Sequence, residues 1–203
     1  MSAQTLLVAG GFTPVTNTYT SGTAATETIP AGASKVVITV WSSGAGGATT
    51  GDMSNKGNSG SGSQVIKTVT GLVGGQTFTY TVGAQVSGHS GGGTGNGTTG
   101  NDSTVVSGTD THSISLTASG GVAATTANNG GAASATGGDT NNAGNAGTIT
   151  HGGSAPNGGA GGTGQSAGSV NGAGPGGGGG SGDTTGSIAG GNGAGGTISF
   201  AYT

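Results

Sequence analysis

The sequence predicts an all-β fold, a small antiparallel β-sandwich with long glycine-rich insertions that either stay mobile or pack as polyglycine II helices. Three observations predict it. Apolar residues alternate with period two in five segments and nowhere recur at helical spacing. Glycine supplies 53 of the 203 residues. Within residues 119–196, 78 positions carry 30 glycines, two charges (Asp139 and Asp183) and four large apolar side chains (Val122, Ile149, Val170 and Ile188). Burying those four contributes about 1.5–3 kcal/mol each, whereas ordering the segment costs about 1–2 kcal/mol per residue in backbone entropy. No side-chain core can hold such a segment, so backbone contacts that glycine permits must do so if it is ordered.

Taken in chain order, Leu6, Leu7, Val8 and Ile29 are expected in early strands, ahead of a turn at Pro30, Ala31 and Gly32. Residues 35–41 place Val36, Ile38 and Val40 on one face, with Trp41 closing the strand as a core residue. In 63–70, Val65 and Val69 share a face with Lys67 between them, and the glycines of 71–75 mark the next turn. In 76–82, Phe78, Tyr80 and Val82 oppose Thr77, Thr79 and Thr81. Residues 113–118 align Ile114, Leu116 and Ala118, and 197–202 close the chain with Ile198, Phe200 and Tyr202. Three insertions separate these strands, at 44–62, 83–108 and 119–196. In the third, glycine recurs about every third position, as at Gly158, Gly161 and Gly164 or Gly174, Gly177 and Gly180, which is the repeat of the polyproline II helix. Four prolines and a loose repeat exclude collagen.

Charged residues make up 4% of the chain and the formal net charge is -3. With three basic residues, all lysine, there is no stripe to neutralise a phosphate backbone, which argues against nucleic-acid binding. The absence of cysteine removes disulfides and thiolate metal sites. The N-terminal apolar run lacks a basic leader and is too short for a signal peptide, and no stretch approaches a membrane span. Release by host lysis, as part of a virus particle, is the expected route to an extracellular location.

Motif matches in so glycine-rich a chain are cheap. Residues 95–100 fit G-x-G-x-x-G without a βαβ unit around them, and 88–92 fit G-x-S-x-G without the strand-to-helix turn of a nucleophile elbow. His89, His112 and His151 are not paired at ligand spacing. No catalytic residue, metal site or cofactor is therefore expected. Asn96, Asn101 with Asp102, Asn128 with Asn129, Asn141 with Asn142, and His151 supply mostly uncharged donors and acceptors on expected loop tips, where they suit a glycan or an outer-membrane protein. Asparagine also favours turns for its own sake.

The run from Thr28 through Ile29, Pro30, Ala31 and Gly32 to the strand ending at Trp41, followed by Ser42, Ser43, Gly44, Ala45, Gly46 and Gly47, resembles the opening of the glycine-rich domains of bacteriophage tail fibres and fibre-tip adhesins. Residues 62–69 with 74–83, and the closing 195–202, are similar to later strands of the same domains. The resemblance covers 26–203 and implies a β-sandwich carrying glycine-rich loops that bind a host surface at the end of a fibre. It further implies attachment to a carrier fibre or other virion protein and a homo-oligomer, with a trimer favoured. Two features depart from the pattern: Ser42 and Ser43 stand where glycine or alanine commonly follows the tryptophan, and the insertions are rich in Thr, Asn and Ala. Residues 1–25 match nothing in it and are expected to form a docking strand or an extra sandwich strand.

The leading expectation is a non-enzymatic virion surface protein binding host cells through its glycine-rich loops. One alternative is a structural subunit of a capsid decoration or extracellular filament. The other is an ice-binding protein, which requires threonines in register over several strands; beside the row at Thr77, Thr79 and Thr81, the sequence offers Thr68 with Thr70 as its companion.

Overall fold

The computed structural model describes residues 11–51, 57–164, 169–184 and 187–203. Leu6, Leu7 and Val8 lie outside the described residues. Among the described residues there are twelve strands: β1 (Val15–Tyr19), β2 (Ala25–Thr28), β3 (Lys35–Trp41), β4 (Thr49–Thr50), β5 (Gln64–Thr70), β6 (Thr77–Thr81), β7 (Ser103–Ser107), β8 (Ser115–Ala118), β9 (Ala135–Thr136), β10 (Thr140–Asn142), β11 (Gly182–Asp183) and β12 (Thr197–Tyr202). Two five-stranded antiparallel sheets, ordered β1-β12-β3-β5-β10 and β2-β6-β7-β8-β9, face each other as a sandwich, and β4 pairs with β11 in parallel elsewhere.

Alternation decides what lies between the sheets. Val36, Ile38 and Val40 of β3, Phe78 and Tyr80 of β6, and Ile198, Phe200 and Tyr202 of β12 all point inward, joined by Val82, Ile114 and Leu116. The rings are layered, with Phe200 5.8 Å from Phe78 and 6.4 Å from Tyr202, both stacked. At about 1.5–3 kcal/mol for each buried side chain, this core supplies tens of kcal/mol toward ordering the strands around it. Pro30 accepts a hydrogen bond from the Ala33 amide at 3.2 Å, closing the expected turn, in which Gly32 takes a left-handed φ of 89°.

Three expectations need correction. Trp41 is not a core residue: it follows Val40 by one position, so it falls on the outer face of β3, half-buried. The stretch 83–108 is not wholly an insertion, because its end forms β7, whose Val105 is fully buried. Two adjacent valines, Val105 inward and Val106 outward, among serines, threonines and glycines leave too little alternation to be read. The stretch 119–196 likewise contains the short β9 and β10, tied to β5 by an ion pair of 2.6 Å between Lys67 and Asp139.

Residues 15–19 form an edge strand of the sandwich, paired with β12. Next to it, Glu27 turns inward from β2 and is only 2% exposed. Asn17 Nδ2 donates to its carboxylate at 2.8 Å and the Tyr19 hydroxyl at 2.5 Å, so the charge is solvated by the opposing sheet.

The remaining chain leaves the sandwich at the ends of its strands, runs outward and returns. Successive outward and return runs are 42–50 with 57–63, 83–91 with 95–101, 119–124 with 129–134, 143–148 with 151–155, 158–164 with 169–173, and 176–184 with 187–196. They bond side by side into one glycine-rich body. In the run 42–50, Ser42, Ala45 and Ala48 donate to the carbonyls of Ser63, Gly60 and Gly57; Ser43, Gly46 and Thr49 donate to Asn101, Thr98 and Gly95; Gly44 and Gly47 donate to Ala194 and Gly191. Every third residue addresses the same neighbour, so this run has three residues per turn and bonds in three directions.

Candidate functional site

The body's geometry follows from small residues and saturated backbone bonding. Residues 42–50, 57–64 and 176–183 are buried, although they contribute only Gly, Ala, Ser, Thr, Asn, Gln and Asp side chains. Buried amides and carbonyls must be paired, and here they pair with adjoining runs: Gly179 with the carbonyl of Ala45, Gly180 with Val170, Gly178 with Gly153. Close approach is what demands glycine. A Cβ at Gly47 would overlap the carbonyl of Gly180, and one at Gly97 the carbonyl of Gly46.

Serines join the body to the sandwich. Ser42 Oγ donates to the Ser119 carbonyl at 2.6 Å and accepts from the Ser63 amide at 2.9 Å. Ser63 Oγ donates to the Ser134 carbonyl at 2.6 Å, Ser43 Oγ accepts from the Asn101 amide at 2.6 Å, and Ser103 Oγ accepts from the Gly83 amide at 2.8 Å. A hydroxyl both donates and accepts, which suits the point where pairing in one plane gives way to bonding in three directions. This explains why Ser42 and Ser43 follow the tryptophan. Trp41 seals the same junction from outside, its Nε1 donating to the Pro156 carbonyl at 3.0 Å.

Runs start or end at this junction or at the inner reversals near 156–158 and 174–176, and among the described residues the other reversals gather at the far end of the body. The described parts of that end include 91–94, 125–128 and 148–150. Four of the eight residues expected at tips are found there. Asn96 Oδ1 accepts from the Thr126 amide at 3.1 Å, Asn128 closes a turn with Thr125, and Asn129 Oδ1 accepts from the Asn58 amide at 3.1 Å. His151 is exposed, with Nδ1 2.7 Å from the Thr150 hydroxyl. It lines a shallow groove of about 480 Å³ together with Asn145, Thr148 and Ser154, beside Ile149, which is 64% exposed.

The other four lie at the sandwich end. Asn101 and Asp102 lead into β7, where Asn101 Nδ2 donates to the Ala84 carbonyl and Asp102 accepts from the Gly120 amide at 2.8 Å. Asn141 and Asn142 are strand residues of β10 rather than a tip, and Asn142 Nδ2 donates to Gln64 Oε1 at 2.7 Å. Asn141 exchanges two hydrogen bonds with Gly138 in the turn before β10.

The residue that organises the far end is one the sequence did not single out. Asn58 is fully buried. Its amide donates to Asn129, its Nδ2 donates to the Thr148 carbonyl at 2.9 Å, and its Oδ1 accepts from the Ser181 amide at 2.9 Å. The residue thereby ties three runs, two through its side chain and one through its backbone amide. Its only sequence signal is an asparagine inside a run otherwise of glycine and serine.

Among the described residues no cluster of three or more His, Cys, Asp or Glu side chains could hold a metal ion. The G-x-G-x-x-G residues lie in a run of the body that bonds to its neighbours, and the G-x-S-x-G pattern runs from such a segment into the reversal at 91–94. No helix of the described residues is long and apolar enough to cross a membrane. No protein-family model matches this chain, and no curated protein matches it.

Proposed function

We propose that the chain is a non-enzymatic surface protein of a phage particle, a fibre, spike or fibre-tip adhesin, whose glycine-rich body is a stack of polyglycine II-type helices holding host-binding tips at its far end. The observation that carries the reading is the gathering of described reversals at one end of the body, where Thr148, Ile149, Thr150 and His151 stand exposed. Tips fixed by Asn58 and by backbone bonds lose little entropy on binding, so weak uncharged contacts suffice. Several copies on one particle multiply those contacts. The groove at Asn145, Thr148, His151 and Ser154 offers uncharged donors and acceptors of the kind a glycan or an outer-membrane protein loop requires.

The test is adsorption. Purified protein should bind susceptible cells and slow phage adsorption in competition, and replacing Thr148, Ile149 and Thr150 by glycine should abolish binding while leaving the melting temperature near that of the parent. Failure of the parent protein to bind any susceptible host or to compete with phage overturns the reading.

A further inference from the structure

The outer face of the second sheet carries an ordered array of threonines that the adhesin reading does not use. Strand register sets Thr81 of β6 beside Thr104 of β7, Thr104 beside Thr117 of β8, and Thr117 beside Thr136 of β9. One pleat along, Thr26, Thr79, Val106 and Ser115 form a second row across β2, β6, β7 and β8, and Thr28 lies beside Thr77 in a third. The companion rows of Thr77, Thr79 and Thr81 are therefore on this same sheet. Thr68 and Thr70, the expected companions, belong to β5 of the other sheet.

Sheet geometry makes this array a grid, with rungs about 4.8 Å apart across the strands and rows about 6.7 Å apart along them. Each threonine presents a methyl and a hydroxyl in a side chain that is stiff at χ1. Among the described residues, the hydroxyls of Thr26, Thr79, Thr104, Thr117 and Thr136 make no hydrogen bond within the protein. Val106 keeps the threonine shape where the hydroxyl is missing. The rows hold no charged residue and no aromatic ring.

We propose that this face binds crystalline ice. Methyl groups in a fixed grid order the water over them, and unpartnered hydroxyls at regular intervals anchor that water. A regular, neutral, two-dimensional array of this kind matches a solid lattice better than an irregular macromolecular partner. A crystalline polysaccharide, the other neutral lattice, would be expected to find rings to stack against, and the aromatic residues of this sheet, Phe78 and Tyr80, are instead drawn into the core. Sheet twist, about 20–25° between neighbouring strands, limits the match to the three or four central strands, so the activity is modest. The inference is independent of host binding, since the tips contribute nothing to this face.

The full chain in dilute buffer is tested for thermal hysteresis and for incorporation into slowly grown ice. The expected result is measurable hysteresis and enrichment in the ice fraction, with most of both lost in Thr104→Tyr at an unchanged melting temperature and both retained in Thr68→Tyr. Exclusion from ice without hysteresis overturns the proposal, as does a Thr104→Tyr protein that behaves like the parent. Adsorption to crystalline chitin or cellulose with no effect on ice also overturns it, because the grid would then be read by a sugar lattice.

Discussion

In the sandwich, Phe78, Phe200 and Tyr202 stack between two sheets and each strand bonds to its neighbours in one plane; in the glycine-rich body, the run 42–50 buries nothing larger than threonine and bonds to three neighbours in three directions. The two regions exclude water by different means. Hydrocarbon removed from water stabilises the first, at about 25 cal/mol per Å² of apolar area. The second has almost no such area, and rests on saturated backbone hydrogen bonds, each contributing a net of about 0.5–1.5 kcal/mol, and on dispersion between backbones brought close by the absence of Cβ atoms. One region tolerates the loss of a side chain poorly. The other should tolerate the gain of one poorly.

That asymmetry gives the largest expected effects. Phe200→Ala opens a cavity in the sandwich and should cost about 3–5 kcal/mol. Gly47→Ala adds one methyl where the Gly180 carbonyl already sits and should cost about as much, because backbone must move on both sides. Gly93→Ala, with open space around it, is the control and should stay within about 0.5 kcal/mol of the parent. Denaturant midpoints of the three variants measure the contrast. Equal, small effects at Gly47 and Gly93 would dissolve it.

Asn58→Ala should follow, at about 1–3 kcal/mol, since it strands the buried Ser181 amide and removes the bond to the Thr148 carbonyl on another run. Faster amide exchange at Gly130 and Ser181, with β3 and β12 unchanged, would place the damage in the body. A uniform loss across the chain would show instead that the two regions unfold as one cooperative unit.

Alkali separates the regions by their chemistry, because all three tyrosines of the chain belong to the sandwich. Hydrogen bonding to Glu27 raises the pKa of the Tyr19 hydroxyl well above its usual value; burial does the same for Tyr202 and Tyr80. A raised tyrosine pKa means that the neutral form is favoured in the fold, so this stabilisation is complete below the unfolded value near pH 10 and is lost as pH climbs toward the folded values. Tyrosinate absorbance should stay silent through about pH 10 and then appear together with unfolding. The smallest expected effect is at His112, whose pKa is raised by its hydrogen bond to Asp110. Its contribution is present below about pH 6.5 and fades as pH rises through the elevated value. The melting temperatures of the parent and His112→Asn should therefore differ at pH 6 and converge by pH 9.

The sandwich was legible in the sequence where alternation and large side chains coincide. Residues 35–41 and 197–202 correspond to β3 and β12 residue for residue. β2 was hidden because its inward residue is Glu27, whose burial depends on Asn17 and Tyr19 from the other sheet, and no local pattern announces such a partner. Glycine spacing indicated a threefold repeat, but the pairing of runs was not readable, since a bond between the Gly46 amide and the Thr98 carbonyl leaves no trace in side-chain chemistry. The same reason explains the candidate site. Asparagine content pointed equally to Asn128 and to Asn142, and only the topology separates a tip from a strand end.

The central claim is that backbone bonding alone orders the glycine-rich body, and amide hydrogen exchange on the full chain tests it most directly. The account predicts slow exchange at Gly44, Ala45, Gly46, Gly47, Gly178, Gly179 and Gly180, with protection comparable to that of Ile38 and Val40 in β3. Exchange of those glycine amides at the rate of an unfolded chain, while β3 stays protected, would contradict it.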